Sequence, residues 1–378
     1  MGGDDIPNCG ISLSNGVFII CSTGNDPSIT NNSHASDHSV LVTFNEATCL
    51  TATNTYQSTN IFVTNRVVSV LNTNLDPTDP RQGHFILDSL HEFGTNVLMF
   101  GAGEYRASDV YLAMVPTANF VSGQGTLYFA GLTNGEPTWN PFESNCVPVV
   151  QDNPTNGPPW PNDTPGVEKV SVIYSTNLNL WLMTYKGGDK VDSSKHQTKG
   201  VYFCYAPQPW GPWSTPQLIF NEFRDYGEGV FIYDALNNTG PAGPVISPGM
   251  DNGTNRAGDA EAPLLIERFT RITNSTLFIY YTMSTWNPYT VVKMRSAFTI
   301  TPVIDPTSLV KLKKKFNFAW SAPTNITYQV DYSTNLTSGW TTFTNLISST
   351  NGTFNFTDEG TNSGGFGSTK YYLLRASN

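Results

Sequence analysis

Residues 261–297 contain three apolar runs of strand length that are separated by short polar turns. The runs cover residues 264–272, 277–283 and 290–294, and β-branched and aromatic residues dominate each of them. Runs of this length and composition predict three antiparallel strands arranged as a meander. Three looser copies of the same pattern occur earlier in the chain, at residues 6–44, 84–115 and 168–206.

The composition favours strands over helices. Charged residues make up only 13% of the chain, which is about half the usual share. Asn, Thr, Ser, Gly and Pro take their place, and these residues favour turns. No segment keeps the apolar period of a helix over several turns between convincing caps. We therefore predict an all-β protein.

The repeated meander predicts a β-propeller, because a single blade cannot bury both of its faces alone. A stacked sandwich is the alternative for this part of the chain. Beyond residue 305 the pattern changes to five short strands within a short stretch, which is typical of a small fibronectin type III or immunoglobulin-like β-sandwich. We predict a propeller domain over residues 1–305 and a sandwich domain over residues 306–378.

Several function classes are disfavoured by the sequence. The net charge of −10 argues against a nucleic-acid partner, which needs a basic face. No apolar run is long enough for a membrane-spanning helix. The five cysteines lack the spacing of a zinc site. No phosphate loop, nucleophile elbow or metal motif is present, so we predict no metal and no cofactor.

The surface chemistry suits a secreted or cell-surface glycoprotein. The sequence contains nine Asn-x-Ser/Thr sequons, which are acceptors for N-glycosylation in secreted proteins. The first five residues form a short polar segment that does not resemble a secretory signal peptide.

The repeats predict where polar groups converge. In an antiparallel meander, the start of the first strand and the turn between the second and third strands lie at the same end. Aligning the four copies therefore brings carboxylates and aromatic residues to one end of the sheets. Such a group of residues is typical of a carbohydrate site. Glycosidic cleavage needs two carboxyl groups, roughly 5 Å apart for retention and about 6.5–9.5 Å apart for inversion. The polar residues at these positions are Asp4, Asp5, His84, Glu168, Lys169, Asp259 and Glu261 at the strand starts, and Asp26, His34, Asp37, His38, Glu104, Tyr105, Arg106, Asp109, Lys186, Asp189, Asp192, Trp286, Asn287 and Tyr289 in the turns.

Structural interpretations stand beside the functional ones. Arg106 either contacts a substrate or pairs with Glu104 or Asp109 to hold its turn. His84 is either a site residue or a core histidine. Trp210 and Trp213 are interpreted as residues that pack between blades.

Several segments within residues 5–300 resemble a known bacterial and fungal domain family of formerly unknown function. They read GAGEYRASDVYLA, ESNCVPVV, LWLMTY, PWGPWSTPQLIF, and APLLIERFT with YYTMSTWNPYTVV. The resemblance implies a five-bladed β-propeller, and some members of that family are endo-D-arabinanase glycoside hydrolases. Relatives carry Gly-Glu-Leu-Ser where this chain has Glu168-Lys169-Val170-Ser171, so a lysine stands where they have an acid.

Our first hypothesis is an extracellular glycoside hydrolase that cleaves an arabinan-like polysaccharide with paired carboxylates. The catalytic candidates are Asp5, Glu168 and Glu261. The candidates for substrate binding are Asp37, His84, Glu104, Arg106, Trp286 and Asn287.

The second hypothesis is a non-catalytic glycan-binding or structural surface protein on a degenerate hydrolase propeller. Lys169, the low charge content and the abundant sequons favour it. Under this hypothesis the protein is a subunit of an extracellular assembly and self-associates through its C-terminal module.

Overall fold

A computed structural model describes most of the chain, and all statements below refer to the described residues. These are residues 6–23, 38–44, 62–70, 83–103, 108–151, 167–176, 178–187, 199–241, 258–273, 276–299, 302–312, 314–322, 324, 326–337, 339–343, 345–366 and 369–377. Within them the regular structure consists of β-strands and three short 3-10 helices, Thr117–Asn119, Glu143–Asn145 and Glu267–Phe269, without any α-helix. The prediction of an all-β protein is confirmed.

Four antiparallel sheets follow one another along the first 300 residues. The first contains β1 (Ile6–Leu13), β2 (Gly16–Thr23), β3 (His38–Phe44) and β4 (Phe62–Val70). The second contains β5 (Leu87–Phe93), β6 (Asn96–Ala102), β7 (Tyr111–Pro116), β8 (Leu127–Thr133) and β9 (Glu136–Asn140). The third contains β10 (Val170–Ser175), β11 (Leu180–Gly187), β12 (Gly200–Ala206) and β13 (Gln217–Phe220). In the fourth, β16 (Thr276–Trp286) pairs with β14 (Asp259–Leu265), β15 (Arg271–Thr273) and β17 (Thr290–Thr299).

The chain divides into two compact units. The first unit comprises residues 1–173, 181–265 and 281–294, and the second comprises residues 174–180, 266–280 and 295–378. The sequence-based boundary at residue 305 stays a prediction.

Two local predictions have different outcomes. Leu13 pairs with Gly16 across β1 and β2, so the hairpin expected at Asn15-Gly16 is present. The single strand expected over residues 264–272 is wrong, because β14 ends at Leu265 and a 3-10 turn intervenes before β15. The turn closes through hydrogen bonds from Phe269 N to Ile266 O (3.2 Å) and from Thr270 N to Glu267 O (2.9 Å).

Within the first unit, the first strands of the four sheets lie side by side in chain order. Asn8 of β1 donates its side-chain amide to Ile86 O, next to β5 (2.8 Å). Ser89 Oγ of β5 accepts from Val172 N of β10 (3.1 Å). Ser171 Oγ of β10 accepts from Leu265 N of β14 (3.0 Å). A propeller requires this order of its inner strands, whereas five blades and ring closure stay predictions.

Aromatic side chains fill the space between the second and third sheets. Trp181 of β11 contacts His91 of β5, with ring centroids 4.8 Å apart. Trp213 lies edge-on to Phe100 of β6 at 6.1 Å, and Trp210 lies edge-on to Trp139 of β9 at 6.5 Å. The interpretation of Trp210 and Trp213 as packing residues is therefore confirmed.

The second unit contains two three-stranded sheets that share one core. One sheet contains β18 (Val303–Leu312), β19 (Lys315–Ser321) and β22 (Thr353–Asp358), and the other contains β20 (Thr327–Ser333), β21 (Thr341–Thr342) and β23 (Tyr371–Ser377). Trp320 of β19 stacks on Phe354 and lies edge-on to Tyr328 of β20, so side chains from both sheets meet. A fibronectin or immunoglobulin type of sandwich stays a prediction.

We expect Trp181→Ala to lower the free energy of unfolding by about 3–5 kcal/mol, because it empties a buried aromatic site between two sheets. Urea unfolding followed by near-UV circular dichroism measures the change. Phe142→Ala is the control, since Phe142 is exposed, and its effect should stay within about 0.5 kcal/mol. Equal losses for the two variants would contradict the packing role of Trp181.

Candidate functional site

A buried lysine of β11 lies among three carboxyl groups. Lys186 is 2% exposed, and its ammonium group donates to the Asp259 carboxylate and to the carbonyl of Ala260. Its Nζ also lies 3.2 Å from Glu222 Oε1 and 3.6 Å from Glu168 Oε2. Burying a charge is costly unless it is paired, so this lysine requires the acids around it.

A second lysine joins the group from the solvent side. Lys199 Nζ lies 2.7 Å from Asp259 Oδ2 and 3.9 Å from Glu222 Oε2. Its side chain is 31% exposed, in contrast to the other members. We call Glu168, Lys186, Lys199, Glu222 and Asp259 the lysine–carboxylate cluster.

Strand direction explains why these residues meet. Glu168 precedes β10, Lys186 ends β11, Lys199 precedes β12 and Glu222 follows β13. In an antiparallel sheet, these four positions lie at the same end. Asp259 begins β14 of the neighbouring sheet. The convergence expected from the sequence is therefore present for the third sheet and the start of the fourth.

Within the cluster, the ionisation state of Glu222 says most about the possible chemistry. Burial and the neighbouring Asp259 together raise the pKa of its carboxyl to about 7, although Lys186 and Lys199 oppose the shift. Its Oε1 accepts a hydrogen bond from Ala260 N at 3.1 Å. When Glu222 is protonated, the remaining two carboxylates balance the two lysines. Glu222 is therefore the member that can give up a proton near neutral pH.

A second group of residues lies next to the cluster along the chain. Glu261 follows Asp259 by two positions on β14, and its charge acts on both Lys169 and Tyr289. Tyr289 is 55% exposed and interacts with half-buried Trp286. Burial lowers the pKa of Lys169, and the acids near it oppose that shift. We call Lys169, Glu261, Trp286 and Tyr289 the Glu261 rim.

Two of the predicted sugar-binding residues are held inside the protein. Asn287 is buried, and its carbonyl accepts from Tyr233 N at 3.0 Å. His84 stacks on Tyr111 with ring centroids 3.9 Å apart, and its backbone N–H donates to Glu143. Burial lowers the pKa of His84 to about 4, so its imidazole is neutral at pH 7.

Asp88 of β5 is a buried acid that the sequence analysis did not single out. It is 1% exposed, and neither carboxylate oxygen has a hydrogen-bond partner among the described residues. Burial raises its pKa well above the usual range, and Glu143 adds to the shift, whereas Arg66 opposes it. A carboxyl in this environment is held in its neutral form.

The predicted residues fall into four groups. Glu168 lies in the lysine–carboxylate cluster, and Glu261 and Trp286 lie in the Glu261 rim. Asn287 is buried and His84 is half-buried, at the positions given above. The candidates outside the described residues are Asp5, Asp37, Glu104 and Arg106.

Glu222, Lys199 and Asp88 were not among the sequence-based candidates. Glu222 lies two residues after β13, at the end of a fourth strand, and the alignment of repeats used only first-strand starts and second-to-third turns. If the alignment of repeats also includes the ends of the fourth strands, Glu222 appears among the residues at the same end of the sheet. Lys186 and Asp259 appeared at the correct end of the repeats but without a role.

Residues 6–295 match the sequence profile of a family described as a domain of unknown function, DUF4185. The chain belongs to this family. No protein of curated function matches the sequence.

Three solved structures illustrate the structural likenesses of this family member. A candidate hydrolase from Bacteroides ovatus aligns with a TM-score of 0.40 and 11% identity, over 74% of this chain and 54% of that protein. An α-L-arabinofuranosidase from Clostridium thermocellum aligns with a TM-score of 0.33 and 8% identity, over 85% and 83%. An exo-β-1,3-galactanase from Phanerochaete chrysosporium aligns with a TM-score of 0.25 and 14% identity, over 67% and 48%.

The DUF4185 chain thus spans about half the length of the Bacteroides and Phanerochaete proteins. TM-scores of this size carry no functional assignment. Among the described residues, no helix is long and apolar enough to cross a membrane.

We expect Lys186→Met to lower the free energy of unfolding at pH 7 by about 3–5 kcal/mol, because it leaves buried carboxylates without their counter-ion. The loss should shrink at pH 5, where Glu222, whose pKa is about 7, is protonated. Urea unfolding at both pH values measures this. The matched control is Lys315→Met, which removes an exposed ion pair with Glu359 and should cost less than about 1 kcal/mol. A loss at pH 7 no larger than that of the control would contradict the role of Lys186.

We expect Asp88→Asn to change how stability depends on pH. The carboxyl of Asp88 has a raised pKa in the folded state, so its neutral form stabilises the protein fully below its unfolded pKa of about 3.9. That contribution is lost as the pH rises toward the folded pKa. The variant lacks this titration, so its stability relative to the wild type should increase between pH 4 and pH 8. Thermal unfolding over that range measures the difference, and a constant difference would refute the assignment of Asp88.

Proposed function

We propose that this DUF4185 protein is a glycan-active hydrolase with a polysaccharide substrate. The observation that carries the proposal is the Glu222 carboxyl, whose pKa lies at about 7 beside an ionised neighbour. Glycosidic cleavage needs one carboxyl group that is protonated near neutral pH and a second that is ionised. Pairs of carboxyl groups with separated pKa values are a recognised indicator of such sites.

In the proposed reaction, Glu222 is the general acid that protonates the oxygen of the leaving sugar. Glu261 is the carboxylate that acts as base or nucleophile on the other side of the bond. Glu222 is hydrogen-bonded to Ala260 N, and Glu261 is the next residue in the chain. The two candidate acids are therefore attached to the same short stretch of β14, one through this hydrogen bond and the other through the chain.

In the proposed complex, the aromatic members of the Glu261 rim bind the sugar ring. Tyr289 is exposed and Trp286 is half-buried beside Glu261. Aromatic rings with one accessible face pack against the apolar face of a sugar ring, while nearby carboxylates accept hydrogen bonds from its hydroxyl groups. The charge of Glu261 acts on Lys169, and a cation beside a carboxylate favours the ionised form of that carboxylate.

The finer parts of the proposal come from the family resemblance and the surface composition. We propose an arabinan-like polysaccharide as the substrate and a secreted or cell-surface location. The low share of charged residues and the nine sequons support that location. Asp5 stays a candidate for a further catalytic carboxylate.

A second candidate function is glycan binding without hydrolysis. The observation that favours it is Lys186, which engages Glu168, Glu222 and Asp259 at once. Carboxylates that neutralise a buried lysine are less available as nucleophiles. Binding of a glycan without release of new reducing ends would support this alternative.

The test is incubation with arabinan, galactan, xylan and β-glucan, with release of reducing ends as the measurement. We expect Glu222→Gln to lower kcat by roughly 10²–10⁴-fold, which is the usual contribution of a general acid. The activity of the wild type should fall as the pH rises through about 7, because Glu222 then loses its proton. The variant should lack this limb of the pH profile.

Glu136→Gln is the matched control, because Glu136 is an exposed glutamate of β9. It should leave activity unchanged. Glu261→Gln should abolish turnover without affecting unfolding by urea. Hydrolysis that survives both Glu222→Gln and Glu261→Gln would refute the assignment of these residues, and the absence of hydrolysis on every glycan would refute the reaction.

A further inference from the structure

The turn that carries Glu222 also exposes large aromatic side chains. Phe223 is 61% exposed and Tyr226 is 79% exposed, and both lie within four residues of Glu222. Val230, in the same segment, is also exposed. Single exposed apolar residues are common on protein surfaces, but a local group of them marks a binding surface.

Hydrogen bonds fix this turn relative to Glu222. The carbonyl of Glu222 accepts from Gly227 N at 2.8 Å and from Glu228 N at 2.9 Å. Asp225 N donates to Asn221 O at 2.9 Å, and the Asp225 carboxylate accepts from Asn221 N at 2.8 Å. The two aromatic residues are therefore held on a closed loop of backbone that begins and ends at the candidate acid.

Tyr226 has a backbone conformation that its side chain disfavours. Its φ angle is +59°, a left-handed conformation that is unfavourable for a residue other than glycine. Glycine would adopt it freely. The ring is exposed, so its contacts within the protein do little to offset the unfavourable backbone conformation. Strain that is kept without a packing benefit is typical of functional surfaces.

The segment after the turn is joined to the candidate site. Tyr233 N donates to the carbonyl of Asn287 at 3.0 Å, and Gly258 N donates to the carbonyl of Tyr233 at 2.7 Å. Asn287 follows Trp286 of the Glu261 rim, and Gly258 precedes Asp259 of the cluster. The segment that follows the turn of Phe223 and Tyr226 is thus hydrogen-bonded to the segment that carries Tyr289, next to the candidate site.

We propose that Phe223 and Tyr226 form a subsite for a sugar residue of an uncharged polysaccharide, away from the bond that is cleaved. This inference rests on the proposed function and adds a binding position and the requirement that the polysaccharide is uncharged. Aromatic rings offer a large contact area at low cost in side-chain entropy. The net charge of −10 repels a polyanionic chain, so the occupant is a neutral glycan rather than one rich in uronic acids.

A subsite away from the cleaved bond has a specific kinetic consequence. It binds the ground state and the transition state of a long substrate equally, so its loss raises KM and leaves kcat unchanged. A small chromogenic glycoside that occupies only the cleavage position does not reach the subsite, and its KM does not depend on Phe223 or Tyr226.

The test uses Tyr226→Gly and Phe223→Ala, with Leu236→Ala as the control. Tyr226→Gly removes the ring and relieves the strained backbone, so the variant should fold at least as stably as the wild type. Leu236 is exposed in the same segment but outside the turn. Binding is measured as retardation in native gels that contain arabinan, galactan, xylan, β-glucan or polygalacturonate, and kinetics are measured on any glycan that is hydrolysed.

We expect retardation by at least one neutral glycan and none by polygalacturonate. Tyr226→Gly and Phe223→Ala should weaken that binding about tenfold, whereas Leu236→Ala should leave it unchanged. Retardation by no neutral glycan, or binding that is equal in the wild type and both aromatic variants, would overturn the subsite.

The gel and the hydrolysis assay separate the two proposals. If a glycan is bound through Tyr226 but releases no reducing ends, the subsite stands and the proposed hydrolysis fails. If a glycan is hydrolysed with the same KM by the wild type and both aromatic variants, the hydrolysis stands and the subsite fails.

Discussion

The burial of Lys186 is the constraint on which the candidate site depends. An ammonium group in the interior is stable only if acids surround it, and here the acids come from two sheets. Glu168 and Glu222 belong to the ends of the third sheet, whereas Asp259 begins the fourth. The pairing therefore ties two sheets together at the same end where it places ionisable groups. Stability and chemistry depend on the same contacts.

Charge balance in this cluster links its structure to the proposed reaction. Two lysines and two carboxylates neutralise each other, which leaves the third carboxyl, Glu222, to exist in the neutral form. Burial and the neighbouring Asp259 both favour that form, and the two lysines only partly oppose them. The charge balance of this buried cluster thus explains how Glu222 can donate a proton near neutral pH.

The sequence predicted the strands and the end of the sheets at which polar groups meet, because both follow from apolar runs and strand direction. It placed Glu168 and Glu261 at that end. It did not identify Glu222, whose neighbours in the chain are ordinary turn residues and whose partners Lys186 and Ala260 lie 36 and 38 positions away in the sequence. Nor could it identify Asp88, since only the folded structure reveals that its carboxylate oxygens lack partners among the described residues. Long-range pairing and burial are properties of the fold.

The lysine at position 169 does not argue against catalysis in this structure. Its pKa is lowered by burial, and the charges of Glu168 and Glu261 act on it from the starts of the third and fourth sheets. The adjacent residue Glu168 engages Lys186, so the cluster does not need an acid at position 169. A cation there favours an ionised Glu261, which is the state that a base or nucleophile requires. In the proposed reaction the acidic role therefore lies on β14, and a lysine at position 169 is compatible with it.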